Sequence, residues 1–215
     1  MSRGVPIVLI HGALRGRAGW LPVQAWLKTR GFEARAYKYR TRLDDLDTHG
    51  RGLAEFVESW LGPEEIPQLG ILTHSMGGLV ARAYLGSERG QHAKQVRLVQ
   101  IAPPNQGSAL AAANRGFKPF ELVYGKAGRE LHPERVAQLG AVPRHVRALV
   151  IGAGRAGRSG YNPLLDGDDD GVVALSETQL EGAEHERVEG VHSLLQWRPD
   201  VLERALAFLS LTEPA

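Results

Sequence analysis

Thr73-His74-Ser75-Met76-Gly77-Gly78 has the residue types and spacing of an activated serine. An apolar run with strand character, Leu69 to Leu72, leads into it, and Leu79 to Leu85 leaves it with helical spacing. A serine between a strand and a helix, with glycine two residues on, must sit in a sharp turn between small side chains. Its oxygen is then held out at the carboxyl end of the strand. The amide of Met76, at the N-terminus of the helix, can donate to negative charge that develops on a substrate oxygen. The usual pattern is Gly-x-Ser-x-Gly, and Thr73 stands where the first glycine would be. That position faces a neighbouring strand and needs a small side chain. The plainer reading is a buried serine at an ordinary turn, and the rest of the chain decides against it.

A serine hydroxyl is a poor nucleophile at neutral pH. It needs a base within hydrogen-bond reach, and the base needs an orienting acid. The serine turn resembles that of α/β-hydrolases, and in that family the acid and then the histidine follow the serine along the chain. The histidines after Ser75 are His92, His132, His145, His185 and His192, and only the last two lie beyond the acidic run Asp166-Gly167-Asp168-Asp169-Asp170-Gly171. His185 falls at the start of the last strand-like run and reads as a solvated surface residue. His192 falls in the loop after it, at the carboxyl end of a strand, where sites of open α/β sheets collect. His192 is therefore the candidate base. The candidate acids are Asp166, Asp168, Asp169 and Asp170. Asp170 directly precedes Gly171-Val172-Val173, an apolar anchor that fixes its direction, and Asp169 stays open as the alternative. A calcium loop is the competing use of four aspartates this close, but the EF-hand spacing and terminal glutamate are missing. His11-Gly12-Ala13 ends the first strand-like run, and the glycine lets the main chain approach a substrate oxygen. In the family that the serine turn resembles, this loop supplies the second oxyanion amide, which here would be that of Ala13, beside Met76.

Elements that can hold these groups alternate along the chain, which predicts an α/β fold with a mainly parallel sheet. The strand-like runs are about 5–10, 32–39, 68–73, 96–102, 147–151 and 185–189. Helical spacing recurs near 19–30, over Leu53 to Leu61, over 76–88 and over 201–211. Leu202, Ala205, Leu206 and Leu209 form the core-facing stripe of the last helix. The stretch from about 105 to 145 interrupts the rhythm. It is long for one connection, and such loops are often functional. Its apolar content predicts a small helical cap, and charges such as Lys118, Lys126, Arg129 and Glu130 argue against a broad apolar lid. Trp20 and Trp197 are expected to add pocket walls. Gly152-Ala153-Gly154-Arg155-Ala156-Gly157 fits the dinucleotide fingerprint, but Gly160 and Pro163 forbid the helix that the fingerprint requires. It reads as a turn that carries the chain to the acidic loop.

The chain has 215 residues, enough for one domain with a buried core, and 43% are apolar, which excludes a disordered chain. The predicted organisation is a single domain over 1–215 with the cap inserted at about 105–145. A formal net charge of +2, with scattered arginines, offers no stripe for nucleic acid. No apolar run reaches the ~18 residues of a membrane span. Residues 5–10 are too short and too early for a signal peptide. The absence of cysteine excludes disulfides and thiolate metal sites. These features fit a cytoplasmic protein without an integral membrane segment. No oligomeric state is legible.

Four pieces together resemble the α/β-hydrolase family, on its bacterial lipase and esterase side. They are Val8-Leu9-Ile10-His11-Gly12, His74-Ser75-Met76-Gly77-Gly78, the Pro103-Pro104-Asn105-Gln106-Gly107-Ser108 run, and Asp170-Gly171-Val172-Val173 followed by His192. The resemblance runs from Val5 to about Leu209. The fourth piece looks like the Asp-Gly-Val-Val signature of such lipases, with a similar distance to the histidine. The Pro-Asn-Gln-Gly-Ser run resembles a segment expected to shape the pocket wall. Thr73, the lack of cysteine and the short N-terminus depart from the pattern, and the last implies a minimal sheet of about six strands without the two leading strands of larger members. The resemblance implies an ester-cleaving serine enzyme that works through an acyl-enzyme. Ser75 would be the nucleophile, His192 the base and Asp170 the orienting acid, with the amides of Ala13 and Met76 holding the oxyanion. It implies a small-molecule ester as substrate, of short to medium acyl length, and no metal or organic cofactor. His74 is expected to buttress the turn. The alternatives are a true lipase on long-chain acylglycerols, an acyltransferase on the same machinery, and a non-catalytic binder that keeps the fold.

Overall fold

The computed structural model describes residues 4–211. Residues 1–3 and 212–215, which belong to the expected 1–215 domain, lie outside the described residues. Six strands form one sheet: β1 (Ile7–Ile10), β2 (Ala34–Ala36), β3 (Ile66–His74), β4 (Ala93–Ile101), β5 (Val146–Gly154) and β6 (Glu184–Glu189). Their order is β2-β1-β3-β4-β5-β6, and every neighbouring pair is parallel. Parallel strands are covered on both faces, so they read as unbroken apolar runs. Ile7, Val8, Leu9 and Ile10 are accordingly all buried.

Alternate residues of β1 feed two separate cores. Val8 and Ile10 pack with α2 (Leu46–Leu61) and α3 (Gly77–Leu85), through residues such as Leu53 and Val80. Ile7 and Leu9 pack on the opposite face with α1 (Leu21–Thr29) and α8 (Pro199–Leu209), through residues such as Val23 and Leu202. Between β4 and β5 lie four short helices: α4 (Ala109–Ala113), α5 (Lys118–Tyr124), α6 (Lys126–Glu130) and α7 (Pro133–Val136). Ala111, Ala127, Leu131 and Val136 tie them to the core on the α2–α3 face.

Two elements differ from the sequence expectation. The second strand was expected over 32–39, but only Ala34–Ala36 pair in register, with Ile7–Leu9, and the Tyr37 amide adds a last bond to Leu9 O at 2.9 Å. The alternation continues past it in burial alone. Tyr37 and Tyr39 point inward, stack at 5.5 Å, and satisfy their hydroxyls on the carbonyls of His49 and His11. The helix expected from Leu53 starts earlier, at Leu46. Asp45 caps it by accepting the Thr48 amide at 2.8 Å, which supplies one of the donors a helix start leaves open.

Candidate active site

Every strand of this sheet runs the same way, so the loops after β1, β3, β5 and β6 emerge at one edge. Ser75 follows β3 directly. Its φ of +55° lies in the left-handed region that a side chain rarely adopts. The turn is over-determined by its surroundings. The Ser75 amide donates to Ile101 O at 2.8 Å, and the Gly78 amide donates to Ser75 O at 2.9 Å. Close approach explains the glycines around it. A Cβ at Gly77 would lie 2.5 Å from Ile10 O and 2.7 Å from His11 O, and one at Gly12 would lie 2.8 Å from Ser75 Cβ. Thr73 is fully buried where a glycine is usual, and its hydroxyl donates to Val99 O at 3.3 Å. The threonine is accommodated because its polar atom meets a main-chain acceptor on the next strand.

The aspartates of the acidic run have four different fates. Asp166 is exposed. Asp168 accepts the Arg155 amide at 2.8 Å and pairs with Arg187. Asp169 is fully buried, and its Oδ1 accepts the amides of Tyr161, Asn162 and Gly171. Asp170 uses Oδ1 to accept the amides of Val172 and Val173, and its Oδ2 lies 2.7 Å from His192 Nδ1. The His192 amide also donates to Asp170 O at 2.9 Å, so the two residues are tied by main chain and side chain together. His185 is exposed on β6, and its Nε2 accepts the Leu180 amide at 3.1 Å.

With Nδ1 facing a carboxylate, the His192 ring keeps Nε2 for a second partner. That ring lines a cavity of about 410 Å³ together with Ser75, Ala13 and His74. The Ala13 amide is aimed by a tight turn, in which Leu14 has φ +57° and the Arg15 amide returns to Gly12 O at 3.3 Å. Among the described residues neither the Ala13 nor the Met76 amide donates to an acceptor. Ala13 lines the cavity, and Met76 follows Ser75 as a fully buried residue.

His74 is buried beside the site, with its ring 4.7 Å from that of His192. Burial, reinforced by the neighbouring His192, holds its pKa well below the ordinary histidine value, so the ring is neutral. Its Nε2 lies 3.0 Å from His192 O, which fixes the tautomer: Nε2–H donates to that carbonyl. His74 thus touches the candidate base through its backbone.

The Pro-Asn-Gln-Gly-Ser run does supply cavity wall, through Pro104 and Ser108. Asn105 anchors it from below, donating to Gln100 Oε1 at 2.8 Å and Thr178 O at 3.1 Å. Trp20, expected as a wall, is instead fully buried in the core on the α1–α8 face. Trp197 lies outside the cavity, under the Arg15 guanidinium at 5.3 Å. Gly152 and Gly154, read as part of a turn, lie inside β5. A Cβ at Gly154 would strike the Asp168 carboxylate, so the strand is bare there to let the acidic loop close on it. Glu177 escaped the sequence reading. It accepts the amides of Ala109 and Ala174 and so joins the start of α4 to the loop after Asp170. One partner, Ala174, lies three residues before it, but the other, Ala109, is 68 residues away, and nothing in the local sequence marks that link.

No protein-family model and no curated protein matches the sequence. Solved structures do match. The mature lipase BlEst2 of Bacillus licheniformis aligns with a TM-score of 0.76 over 98% of this chain and 94% of its own, at 16% identity. The metagenomic carboxyl esterase MGS0156 aligns with a TM-score of 0.72 over 98% of this chain and 72% of its own, at 15% identity. The NocB thioesterase domain, in covalent complex with a fluorophosphonate nocardicin G analog, aligns with a TM-score of 0.56 over 95% of this chain and 92% of its own, at 18% identity. A six-stranded parallel sheet flanked by helices, shared with these proteins, is the α/β-hydrolase fold. Within that fold the chain is similar in structure to bacterial lipases and esterases. Among the described residues no helix is long and apolar enough to cross a membrane.

Proposed function

We propose that the protein is a serine hydrolase that cleaves carboxylic esters of short to medium acyl length through an acyl-enzyme. The observation that carries this reading is the meeting of three things at one sheet edge: Ser75 in a left-handed turn, His192 tied to Asp170, and two unengaged amides. Ser75 Oγ attacks the ester carbonyl and passes its proton to His192 Nε2. Asp170 holds the imidazole with Nδ1–H toward its carboxylate and stabilises the imidazolium as it forms. The amides of Ala13 and Met76 bind the oxyanion of the tetrahedral intermediate. Collapse of the intermediate returns the proton to the leaving alkoxide and frees the alcohol. Water, activated by His192, then adds to the acyl carbonyl, and Ser75 leaves with its proton restored. The test is covalent. A fluorophosphonate probe is expected to add to Ser75, read by peptide mass spectrometry, and labelling that survives Ser75→Ala overturns the assignment.

The cavity favours small acyl groups, since about 410 Å³ lies near the lower end of the ~300–1,000 Å³ of small-molecule sites. One observation favours the lipase alternative. The cap was expected to carry no broad apolar lid, yet Phe117, Leu122 and Val123 are exposed at and within α5, whose last residue, Tyr124, lines the cavity. Exposed apolar patches of this kind mark contact surfaces. Rates across acyl chain lengths, above and below the solubility limit, separate the two. The esterase reading expects a maximum at about C2 to C8, and a jump at the interface with long chains supports the lipase.

A further inference from the structure

The candidate site does not end at its own cavity. A second cavity of about 640 Å³ adjoins it and shares two lining residues with it, Leu14 and Arg15. Its other cationic walls are Arg40 and Arg42, on the segment between β2 and α2. Among the described residues, no aspartate or glutamate lines either cavity.

The three guanidinium groups are held or left open in a telling way. Arg15 donates to Ser193 O at 3.2 Å, and Arg42 donates to Leu122 O, so each is positioned by a neutral carbonyl. Arg40 is exposed and has no side-chain partner among the described residues. Among the described residues none of the three meets a carboxylate, whereas Arg30, Arg135, Arg147, Arg187 and Arg204 each do. The charge of Arg15 reaches the site itself, where it is one of the causes that lower the His74 pKa. A cleft lined by one sign of charge focuses its field and concentrates ligands of the opposite sign. Guanidinium groups suit phosphate and carboxylate because their planar N–H forks match those oxygens.

We infer that the preferred substrate is an ester carrying an anionic group, phosphate or carboxylate, which the Arg15–Arg40–Arg42 cleft binds while its carbonyl lies at Ser75. This rests on the ester-hydrolase reading of the same site and specifies its substrate class. The anion comes either from a soluble ester or from a lipid headgroup, and the cleft chemistry is shared by both.

The experiment compares kcat/KM for 1-butyrylglycerol 3-phosphate with that for 1-butyrylglycerol, which differ only in the anion. The expected preference for the phosphate is about tenfold at low ionic strength, shrinking as salt screens the exposed arginines. In Arg40→Gln/Arg42→Gln the ratio should fall toward one. Arg144→Gln, before β5 at the opposite edge of the sheet, removes the same kind of charge and should leave the ratio unchanged. A second arm uses vesicles of dioleoylphosphatidic acid against dioleoylphosphatidylcholine. Preference in the soluble pair assigns the anion to a free ester, and preference confined to vesicles assigns it to a headgroup. Equal or faster cleavage of the neutral ester with no vesicle preference overturns the inference, as does a preference that survives the double variant. Failure to cleave the phosphate ester in either arm, by a protein whose Ser75 labels with fluorophosphonate, also overturns it. If Ser75 does not label and no ester is cleaved, the hydrolase reading itself has failed.

Discussion

The serine turn and the acidic loop hold their groups by opposite means. The turn is held by exclusion: β3 and α3 are regular elements, and Gly12 and Gly77 let backbones close where any Cβ would collide. The loop between β5 and β6 is held by donation. Asp168, Asp169, Asp170 and Glu177 between them accept the amides of eight residues, and there is little regular structure to support the chain. Steric exclusion fixes a position through packing and resists any added volume. A carboxylate scaffold fixes it through polar atoms and answers to charge and protonation.

The sharpest test of this contrast compares neighbouring acids. Asp170→Asn should lower kcat by about 10³- to 10⁴-fold with little loss of stability, because an amide favours the wrong histidine tautomer. Kinetics on a soluble ester decides it, and a larger loss of kcat in Asp169→Asn would move the acid by one residue. Next in size is the turn. Gly77→Ala places a methyl group against the carbonyls of Ile10 and His11, which the β1–β3 pairing holds in place. A cost of about 3 kcal/mol is expected, or roughly 6–12 °C in Tm for a chain of this length, read by thermal melting.

Protonation should split the two regions. Burial lowers the pKa of His11, His49 and His74, all on the side of the serine turn. The unfolded chain then binds more protons than the folded one once pH falls below the ordinary histidine value. The stability these residues contribute is whole above that value and is lost below it, at no more than about 1.4 kcal/mol per pH unit for each. Burial raises the pKa of Glu177 in the acidic loop, so its contribution has the opposite course, present in acid and lost as pH rises through the raised value. Urea midpoints between pH 7.5 and 5 should fall, and His74→Gln should flatten the fall. The smallest effect is expected at Asp168→Asn. Its carboxylate holds Arg155 and Arg187, at the edge of the loop away from His192. Activity should stay within about twofold, because asparagine keeps an acceptor for the Arg155 amide and the His192–Asp170 pair is left intact.

The sequence made the excluded-volume half of this comparison legible, since a serine turn with glycines after an apolar run is a local pattern. The sheet followed from the same signal, because parallel strands buried on both faces leave unbroken apolar runs such as Ile7 to Ile10 and Leu69 to Leu72. The acidic loop was legible as a choice of Asp170 with Asp169 left open. Which aspartate meets His192 depends on backbone direction, and Asp169 and Asp170 differ by one residue but bind opposite sides of the loop. Glu177 and Arg40 were not legible, because Ala109 in the one case and Leu14 and Arg15 in the other join them from far away in the chain. Trp20 was misplaced for a related reason: an aromatic near a strand end can serve a core as well as a pocket, and spacing alone does not choose.

The parallel sheet has one more consequence. The candidate groups all leave from one edge, so the opposite edge holds none of them. Arg144 stands there, exposed, just before β5. The chain has no cysteine of its own. A single cysteine placed at that position would be the sole thiol, and coupling it to a solid support would present every molecule in one orientation, with the cavity open to the solution.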